Sequence, residues 1–417
     1  MSASDTFVIA GGGLAGAKAT EALREQGFDG RIVLAAEEDI RPEERPPLSK
    51  DYLQGKAERD TIFVHSPDWY DASRVELLLG TTVTGIDRGR REVTLSGGGH
   101  LGYGKLLLAT GSIPRRLPLP GTDSGGVLYL RWVEDSDRIR DTFTTASRVL
   151  IIGAGWIGLE VAAAARLAGV EVTILEAAEL PLLHALGPQV APVFADLHRQ
   201  HGVDLRLGVR VAEITVSGGK ATGARLADGT RIGADAVIAG IGAAPQTRLA
   251  EEAGLDVRDG IVTDASLRTS DPAIYAAGDI ASAFHPLLGR HIRVEHWANA
   301  LHQPQTAARA MLGQAAIYDR VPYFYTDQYD LGMEYAGYAG PGGYDRVIFR
   351  GDAGKREFIA FWMSGARVVA GMNVNIWDVN DAIQDLIRSG QPADPARLAD
   401  PAVPLDEVTA THDRRSS

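Results

Sequence analysis

Short apolar runs that end in glycine-rich loops alternate with helical patterns along this chain. The first run, residues 7–10, leads into Gly11-x-Gly13-x-x-Gly16, and apolar residues at helical spacing follow before a second run at 32–34. The order strand, glycine loop, helix, strand is that of a dinucleotide-binding unit. The pattern therefore predicts an α/β fold that begins with such a unit.

In a dinucleotide-binding unit, each glycine of this loop has a different structural role. Gly11 permits a tight turn, Gly13 lets the backbone approach a pyrophosphate, and Gly16 lets the helix pack closely on the strand. Leu14 follows at the start of the helix, whose unpaired N–H groups and positive dipole end favour phosphates. Glu37, about twenty residues beyond the loop, would accept hydrogen bonds from an adenosine ribose.

The same pattern recurs in the middle of the chain. An apolar run leads into Gly153-x-Gly155-x-x-Gly158, and a later strand, residues 172–175, ends on Glu176. Two such units imply two different dinucleotides, and the economical pair is a flavin and a nicotinamide. Glu176 favours NADH, because a carboxylate would repel the 2′-phosphate of NADPH and no Arg or Lys follows closely.

The remaining patterns complete the predicted architecture. The apolar run at 77–83 predicts a further parallel strand, and the run at 105–108 predicts a buried strand that stops at Thr110-Gly111. Beyond residue 318 the sequence becomes rich in aromatic residues and in short strand-like runs, which predicts an antiparallel sheet followed by a helix at 378–389. The stretch from residue 391 is rich in Pro, Ala and Asp, and its end is predicted to be disordered.

Composition excludes several function classes. Among 417 residues, 45% are hydrophobic and the formal net charge is −12, which argues against a nucleic-acid binder. The absence of cysteine excludes disulfides, thiolate metal sites and redox-active dithiols, and no metal site is expected. We expect no signal peptide and no transmembrane helix, and therefore a cytoplasmic protein without membrane association.

A proline-rich segment at 41–50 holds two cations on a stiff element close after the first unit. These are Arg45 and Lys50, and Ser49 between them is a candidate cap for a short helix. Two interpretations remain open: a rigid surface loop with solvated charges, or a clamp on the electron-rich ring of a cofactor.

Together these motifs resemble the FAD-dependent NADH:ferredoxin reductases of oxygenase systems. The resemblance covers nearly the whole chain and rests on the two glycine fingerprints and the segments at 45–50, 109–111, 158–160, 277–279 and 325–330. It implies a glutathione-reductase-like α/β fold with two Rossmann-type dinucleotide-binding domains and an α+β C-terminal domain. The implied division is an FAD-binding domain in two parts (1–114 and 244–319), an inserted NAD-binding domain (115–243), and a C-terminal domain with a flexible tail (320–417).

The resemblance also implies the residues of both nucleotide sites. Those implied for FAD are Gly11, Gly13, Leu14, Ala15, Gly16, Glu37, Arg45, Lys50, Val83, Thr110, Gly111, Arg131, Gly278, Asp279 and Trp297. Those implied for NAD are Gly153, Gly155, Trp156, Ile157, Gly158, Glu176 and Gly242. The implied catalytic residues are Lys50, near the flavin N5/O4 edge, and Glu160, which would reach Lys50 from the NAD-binding domain.

Three of these residues keep an alternative role. Asp279 would hold a polyol hydroxyl of the cofactor or cap the next helix, and Glu160 is either the partner of Lys50 or an exposed helix carboxylate. Trp156 is either a packed aromatic side chain or a cover over the flavin ring that nicotinamide displaces.

The implied reaction is hydride transfer from NADH to FAD, followed by transfer of single electrons to a small iron–sulfur ferredoxin. That ferredoxin would feed a cytochrome P450 or a ring-hydroxylating oxygenase, and the enzyme would be a monomer or homodimer. Because there is no cysteine, electrons cannot leave through a disulfide. The alternatives are an NADH:rubredoxin reductase, an NADH oxidase, and an NADH-sensing flavoprotein that resembles apoptosis-inducing factor.

A surface for the ferredoxin is predicted from local charge. A basic patch on this acidic protein would steer an acidic partner, with scattered solvated charges as the alternative interpretation. Its candidate members are Arg41, Arg45, Arg290, His291 and Arg293.

Overall fold

The computed structural model describes residues 5–340 and 342–409, which divide into two compact units. Unit 1 consists of the chain up to Pro47 together with Ala57–Ile113 and Ala243–Arg320. Unit 2 consists of Leu48–Lys56, Pro114–Gly242 and the chain from Val321 onward. Each unit is therefore assembled from segments that are distant in sequence.

The helices and strands have the following bounds. The helices are α1 Leu14–Glu25, α2 Pro67–Ala72, α3 Val133–Thr145, α4 Trp156–Leu167, α5 Leu183–Gln200, α6 Arg248–Glu252, α7 Trp297–Met311, α8 Asn380–Ser389 and α9 Pro395–Ala399. The strands are β1 Thr6–Ala10, β2 Arg31–Ala35, β3 Val75–Leu78, β4 Val83–Asp87, β5 Glu92–Leu95, β6 His100–Gly102, β7 Lys105–Leu108, β8 Ser112–Pro114, β9 Val127–Leu128, β10 Arg148–Ile152, β11 Glu171–Leu175, β12 Asp204–Arg206, β13 Val211–Ser217, β14 Lys220–Leu226, β15 Arg231–Gly233, β16 Ala236–Ala239, β17 Ala243–Pro245, β18 Val257–Arg258, β19 Gly260–Thr263, β20 Ile274–Ala276, β21 Ala281–His285, β22 Arg290–Ile292, β23 Tyr323–Gln328, β24 Leu331–Gly337, β25 Arg346–Asp352, β26 Glu357–Ser364 and β27 Arg367–Val374.

Unit 1 is built on a parallel sheet with the strand order β20-β7-β1-β2-β3. Its strands are apolar on both faces, as parallel strands covered on both sides are, and Val8 and Ile9 of β1 are fully buried. The registers pair Ala10 with both Ala35 and Leu108, so the carboxyl ends of three strands meet at one edge of the sheet.

The predicted run at 77–83 divides into two elements of unit 1. Strand β3 joins the parallel sheet, whereas Val83 begins β4, which pairs antiparallel with β5 in a separate three-stranded sheet. The prediction of one continuous parallel strand was wrong, because residues 79–82 turn the chain out of the sheet.

Unit 2 repeats the parallel architecture with the order β12-β11-β10-β16-β9. The same unit contains a five-stranded antiparallel sheet, β23-β24-β27-β26-β25, with α8 packed beside it, as the C-terminal pattern predicts. One apolar core joins these parts, since Phe194 of α5 and Trp362 of β26 belong to a single buried cluster.

The end of the predicted flexible tail, residues 410–417, lies outside the described residues. The described part of that stretch contains α9 and a 3₁₀ turn at Leu405–Glu407. In the described part of the chain, no helix has the length and apolar character needed to cross a bilayer.

Candidate functional site

The first glycine loop lies at the carboxyl edge of the unit 1 sheet. A Cβ on Gly11 would lie 2.2 Å from the carbonyl oxygen of Ala109, and one on Gly16 would lie 2.0 Å from that of Gly11. A Cβ on Gly13 would meet nothing within 4 Å. The outer glycines are therefore required by packing, while the middle glycine borders open space of the kind that a pyrophosphate needs.

Helix α1 begins directly after this loop and presents a free N-terminus. Its N-cap residue, Gly13, has no side chain with which to satisfy the first N–H groups, so they remain available to an anion. Gly278 packs against the same turn, because a Cβ there would lie 3.1 Å from the Cβ of Ala15. The N–H of Gly278 donates to Gln303 Oε1 at 2.8 Å, which fixes Gly278 and the adjoining Asp279 beside the helix start.

Asp279 does not cap a helix. The chain continues from Asp279 into strand β21, so the capping alternative was wrong. The contact of Asp279 with a cofactor hydroxyl stays a prediction, and the residue lies beside the α1 N-terminus as that prediction requires.

The structure brings the carboxylate of Glu38, next to Glu37 in sequence, close to the first loop. Glu37 is exposed, whereas a Cβ on Gly12 would lie 3.7 Å from Glu38 Oε2. Arg45 binds Glu38 Oε1 at 2.9 Å and Glu43 Oε1 at 2.5 Å. The role of Glu37 at the ribose stays a prediction; the contact of Glu38 with the loop was not predicted, because the spacing rule applies equally to both adjacent carboxylates.

Other residues predicted to contact FAD lie at separate points, most of them in unit 1. Thr110 and Gly111 follow β7, and the hydroxyl of Thr110 donates to the carbonyl oxygen of Gln246 at 3.2 Å. Trp297 begins α7, and its indole N–H donates to Glu44 Oε2 at 3.0 Å. Val83 is buried at the start of β4, as described above. Arg131 lies in unit 2, where its backbone N–H donates to the carboxylate of Asp135 that caps α3.

The second glycine loop, in unit 2, repeats the geometry of the first. A Cβ on Gly153 would lie 2.4 Å from the carbonyl oxygen of Gly240, and one on Gly158 would lie 2.2 Å from that of Gly153. A Cβ on Gly155 would have no atom closer than 3.9 Å. Gly155 is also the N-cap of α4 and carries no capping side chain, so this helix too offers its N–H groups to an anion.

Glu176 lies at the end of β11 beside this loop. Its two carboxylate oxygens accept hydrogen bonds from the N–H of Ala154 at 2.7 Å and of Ala178 at 2.8 Å. These bonds hold the carboxylate at the strand end, where the ribose of a dinucleotide binds in this type of unit. Gly242 follows the neighbouring strand and accepts a hydrogen bond from Arg115 N–H at 2.9 Å.

Trp156 and Ile157 open α4 in different environments. The Trp156 ring makes edge contacts with Phe324, at 4.9 Å between centroids, and with Phe194, at 5.6 Å. These are the contacts of a packed aromatic side chain, the first of its two alternatives. The Ile157 side chain is exposed on the surface of unit 2.

A buried ion pair forms the electrostatic centre of unit 2. Lys50 Nζ lies 2.8 Å from Glu160 Oε1, with 13% of the Lys50 side chain and 3% of the Glu160 side chain exposed. Ser49 donates to Glu160 Oε2 at 2.5 Å, and Thr326 donates to Glu160 Oε1 at 2.6 Å. The alternative of an exposed helix carboxylate was therefore wrong. The suggestion that Ser49 caps a following helix was also wrong, because residues 50–55 form turns rather than a helix.

Lys50 and Glu160 lie in the same compact unit. The segment Leu48–Lys56 is fastened to α3, since Ser136 donates to the carbonyl oxygen of Leu48 at 2.8 Å and Tyr52 donates to Asp137 at 2.7 Å. Sequence order placed this segment with the first glycine loop, whereas its packing assigns it to unit 2.

The C-terminal sheet contributes residues to this centre that sequence reasoning missed. Thr326 contacts Glu160 directly, and the Tyr325 ring lies 5.5 Å from Lys50 Nζ. Burial raises the pKa of the Asp327 carboxyl; Lys50 opposes that shift, and the charges of Glu160 and Asp51 add to it. The only sequence signal was the polar spacing within 325–330.

The predicted basic patch is largely neutralised by acidic neighbours. Arg293 is paired with Asp259 and Glu295, Arg45 has the acidic partners described above, and Arg41 lies 3.8 Å from an oxygen of Asp60. Arg290 and His291 are exposed at the end of unit 1 formed by β22. The five residues therefore do not form the unpaired positive surface that the sequence suggested.

Comparisons with known proteins cover both units. Residues 5–304 match the pyridine nucleotide-disulphide oxidoreductase family, and residues 323–409 match the reductase C-terminal family. The chain is 40% identical to putidaredoxin reductase of Pseudomonas putida over 98% of both chains. It is 41% identical to the ferredoxin–NAD(+) reductase component of the anthranilate 1,2-dioxygenase system of Burkholderia cepacia, over 96% of this chain and 98% of that one. The solved structure of a covalent putidaredoxin reductase–putidaredoxin complex superposes with a TM-score of 0.94 at 40% identity, covering 98% of both chains.

Proposed function

This chain belongs to the pyridine nucleotide-disulphide oxidoreductase family, and we propose that it is an FAD-dependent NADH:ferredoxin reductase that serves an oxygenase. The family implies FAD and a nicotinamide nucleotide as cofactors, and the glutathione-reductase-like fold is the one that the sequence predicts. The proposal assigns the pyrophosphate of FAD to the glycine loop of unit 1 and that of NADH to the glycine loop of unit 2.

The observation that carries this proposal is the pair of glycine loops, one in each unit. In each loop, neighbouring backbone atoms occupy the space that a Cβ on either outer glycine would need, whereas the middle glycine borders open space. Each loop opens a helix whose first N–H groups have no capping side chain. This arrangement fits two dinucleotides and gives each a separate cradle.

The residues around Glu160 supply the electrostatics of the reaction. When bound, FAD supplies a ring that accepts a hydride from NADH and passes electrons on one at a time. The Lys50 ammonium would stabilise negative charge on that ring, and Glu160 keeps the ammonium in place through their ion pair. The chain has no cysteine, so it cannot carry out the disulphide chemistry that its family name describes.

The acceptor is proposed from the relatives. Putidaredoxin reductase and the anthranilate dioxygenase component are named for their ferredoxin partners, and the similarity extends over almost the full length of each. We therefore assign a small iron–sulfur ferredoxin as the acceptor, which in turn would reduce a cytochrome P450 or a ring-hydroxylating oxygenase.

The experiment that tests the cofactor assignment is anaerobic stopped-flow reduction of the purified protein by NADH and by NADPH. NADH should bleach the flavin rapidly, and NADPH at least about tenfold more slowly, because Glu176 repels the 2′-phosphate. Glu176→Gln should reduce this discrimination several-fold, while the exposed Glu179→Gln serves as the control.

Each contrary outcome has a separate meaning. Equal bleaching by both nucleotides would contradict the role of Glu176. Slow bleaching by NADH followed by a long-lived complex of reduced flavin with NAD would favour the NADH-sensing alternative. A folded protein that binds no flavin would contradict the whole proposal.

A further inference from the structure

A line of buried polar side chains continues from Glu160 into the interior of unit 2. Thr326 donates to Glu160 at 2.6 Å, the Gln328 amide lies 3.2 Å from Thr326 Oγ1, and His198 Nε2 lies 2.9 Å from Gln328 Oε1. Thr326 and Gln328 are each 1% exposed and His198 is 0% exposed. Buried polar groups are costly unless they are paired, so this line calls for a physical account.

Three elements hold the line in place. Thr326 and Gln328 are two residues apart on β23 and therefore point to the same face of the strand. Glu160 comes from α4, which packs against β23, and His198 comes from the last turn of α5. Thr326 and Gln328 of β23 thus connect α4 to α5 by hydrogen bonds.

The direction of the hydrogen bonds follows from the supply of donors. The Glu160 carboxylate, paired with Lys50, can only accept, so the single hydroxyl hydrogen of Thr326 points to Glu160. Thr326 must then accept from the amide group of Gln328, which turns the Gln328 carbonyl oxygen towards His198. His198 therefore donates from Nε2.

His198 satisfies this requirement as a neutral ring. Burial lowers its pKa to about 4, with smaller contributions from the hydrogen bond to Gln328, which raises the pKa, and from His201, which lowers it. A neutral imidazole carries one hydrogen, which must be on Nε2. Consistently, His198 Nδ1 has no hydrogen-bond partner among the described residues.

We propose that Thr326, Gln328 and His198 are positioning residues for the Lys50–Glu160 pair. Every donor along the line points towards Glu160, so the line stabilises the carboxylate charge and fixes its orientation. Glu160 in turn fixes the Lys50 ammonium. This inference rests on the proposed function, in which Lys50 assists flavin reduction.

The kinetic test removes one hydroxyl group. Thr326→Val keeps the shape of the side chain but leaves Glu160 Oε1 without that donor, so the rate constant for flavin reduction by NADH should fall about tenfold. The Kd for NADH should stay within about twofold of the wild-type value. Thr326 contacts Glu160 and not the second glycine loop, where the nucleotide phosphates would bind. Thr326→Ser restores the hydroxyl and should recover most of the rate.

Thr263→Val is the matched control. Thr263 is a buried threonine of unit 1 whose hydroxyl has no partner in the described part of the chain, so its loss should leave the rate unchanged. A Thr326→Val rate equal to that of the wild type would overturn the proposal, as would a Thr326→Ser rate as low as that of Thr326→Val.

The second test measures the hydrogen bonds of His198 by NMR and does not depend on enzyme activity. In ¹⁵N NMR spectra of histidine-labelled protein, His198, assigned through His198→Asn, should be a neutral Nε2–H tautomer. Thr326→Val should move the His198 Nε2–H resonance, although Thr326 does not touch His198, because Gln328 then loses its acceptor and polarises the bond from His198 less. A wild-type Nδ1–H tautomer, or an Nε2–H resonance that Thr326→Val leaves unchanged, would overturn the proposal.

The two failures can be told apart. If the wild-type protein shows no reduction by NADH, the proposed function fails while the tautomer measurement still tests the line. If the wild type is reduced rapidly and the variants behave like it, only the positioning role fails. The wild-type NMR measurement also remains decisive if Thr326→Val does not fold.

Discussion

At the scale of single residues, one buried carboxylate is the centre of a group of polar contacts in unit 2. Glu160 is almost fully buried, yet it has a cation and two hydroxyl donors, so its charge is compensated on every oxygen. A buried ion pair of this kind adds little net stability, but removal of one partner is expensive because the other charge remains buried.

Lys50→Met should therefore destabilise the protein by about 3–5 kcal/mol, because it leaves Glu160 uncompensated. The double variant Lys50→Met/Glu160→Gln should recover most of that loss, since the buried charge is then absent. Urea unfolding followed by circular dichroism measures both values.

The more exposed Lys18–Glu21 pair is the control for that comparison. It joins residues one turn apart on α1 and keeps about a quarter of each side chain exposed, at 22% and 27%. Lys18→Met should therefore cost no more than about 1 kcal/mol. A Lys50→Met loss of the same small size would show that Glu160 is not held as a charged, buried group.

At the scale of elements, the glycine loops separate packing from binding. Gly155→Ala places a methyl group in open space next to the proposed pyrophosphate site, whereas Gly158→Ala drives one into the backbone of Gly153. Gly155→Ala should thus keep the wild-type thermal stability and weaken NADH binding by about tenfold or more. Gly158→Ala should lower the thermal midpoint by several degrees, as scanning calorimetry would detect.

Equal effects of the two substitutions on stability would contradict this division of roles. The first loop offers the same pair, Gly13→Ala and Gly16→Ala, with bound flavin as the readout. Retention of flavin by Gly13→Ala at wild-type affinity would show that the open space is not the cofactor cradle.

The elements were predictable because their signals are local. Apolar periodicity and glycine spacing predict both strand–loop–helix–strand units. The aromatic, strand-like runs beyond residue 318 predict the C-terminal sheet and its helix. Predictions failed or were not made where contacts between residues distant in sequence determine the structure. Spacing could not show that the Glu38 carboxylate lies beside Gly12, and sequence order could not show that Leu48–Lys56 packs with α3.

The polar centre was only half predictable for the same reason. Lys50 and Glu160 were singled out by resemblance, and the structure brings them within 2.8 Å. Thr326 and Gln328 lie in segment 325–330, which supports the resemblance, but their contacts with Glu160 and His198 were not predicted. Hydrogen bonds between a strand and two helices distant in sequence leave no local pattern that identifies them. The roles of Thr326, Gln328 and His198, like those of the nucleotide-site residues, stay predictions.

At the scale of the whole molecule, the family and the composition together narrow the function. The family is named for disulphide chemistry, but a chain without cysteine cannot pass electrons through a disulphide of its own. Its full-length relatives with about 40% identity are named for ferredoxins that serve oxygenases.

The most direct test of this account is the NADH-dependent reduction of cytochrome c by the purified flavoprotein with and without a [2Fe–2S] ferredoxin. We expect slow reduction by the flavoprotein alone and a rate that rises at least about tenfold, and saturates, as ferredoxin is added. A rate that ferredoxin does not change, with NADH consumption matched by oxygen consumption, would contradict the account and identify an oxidase instead.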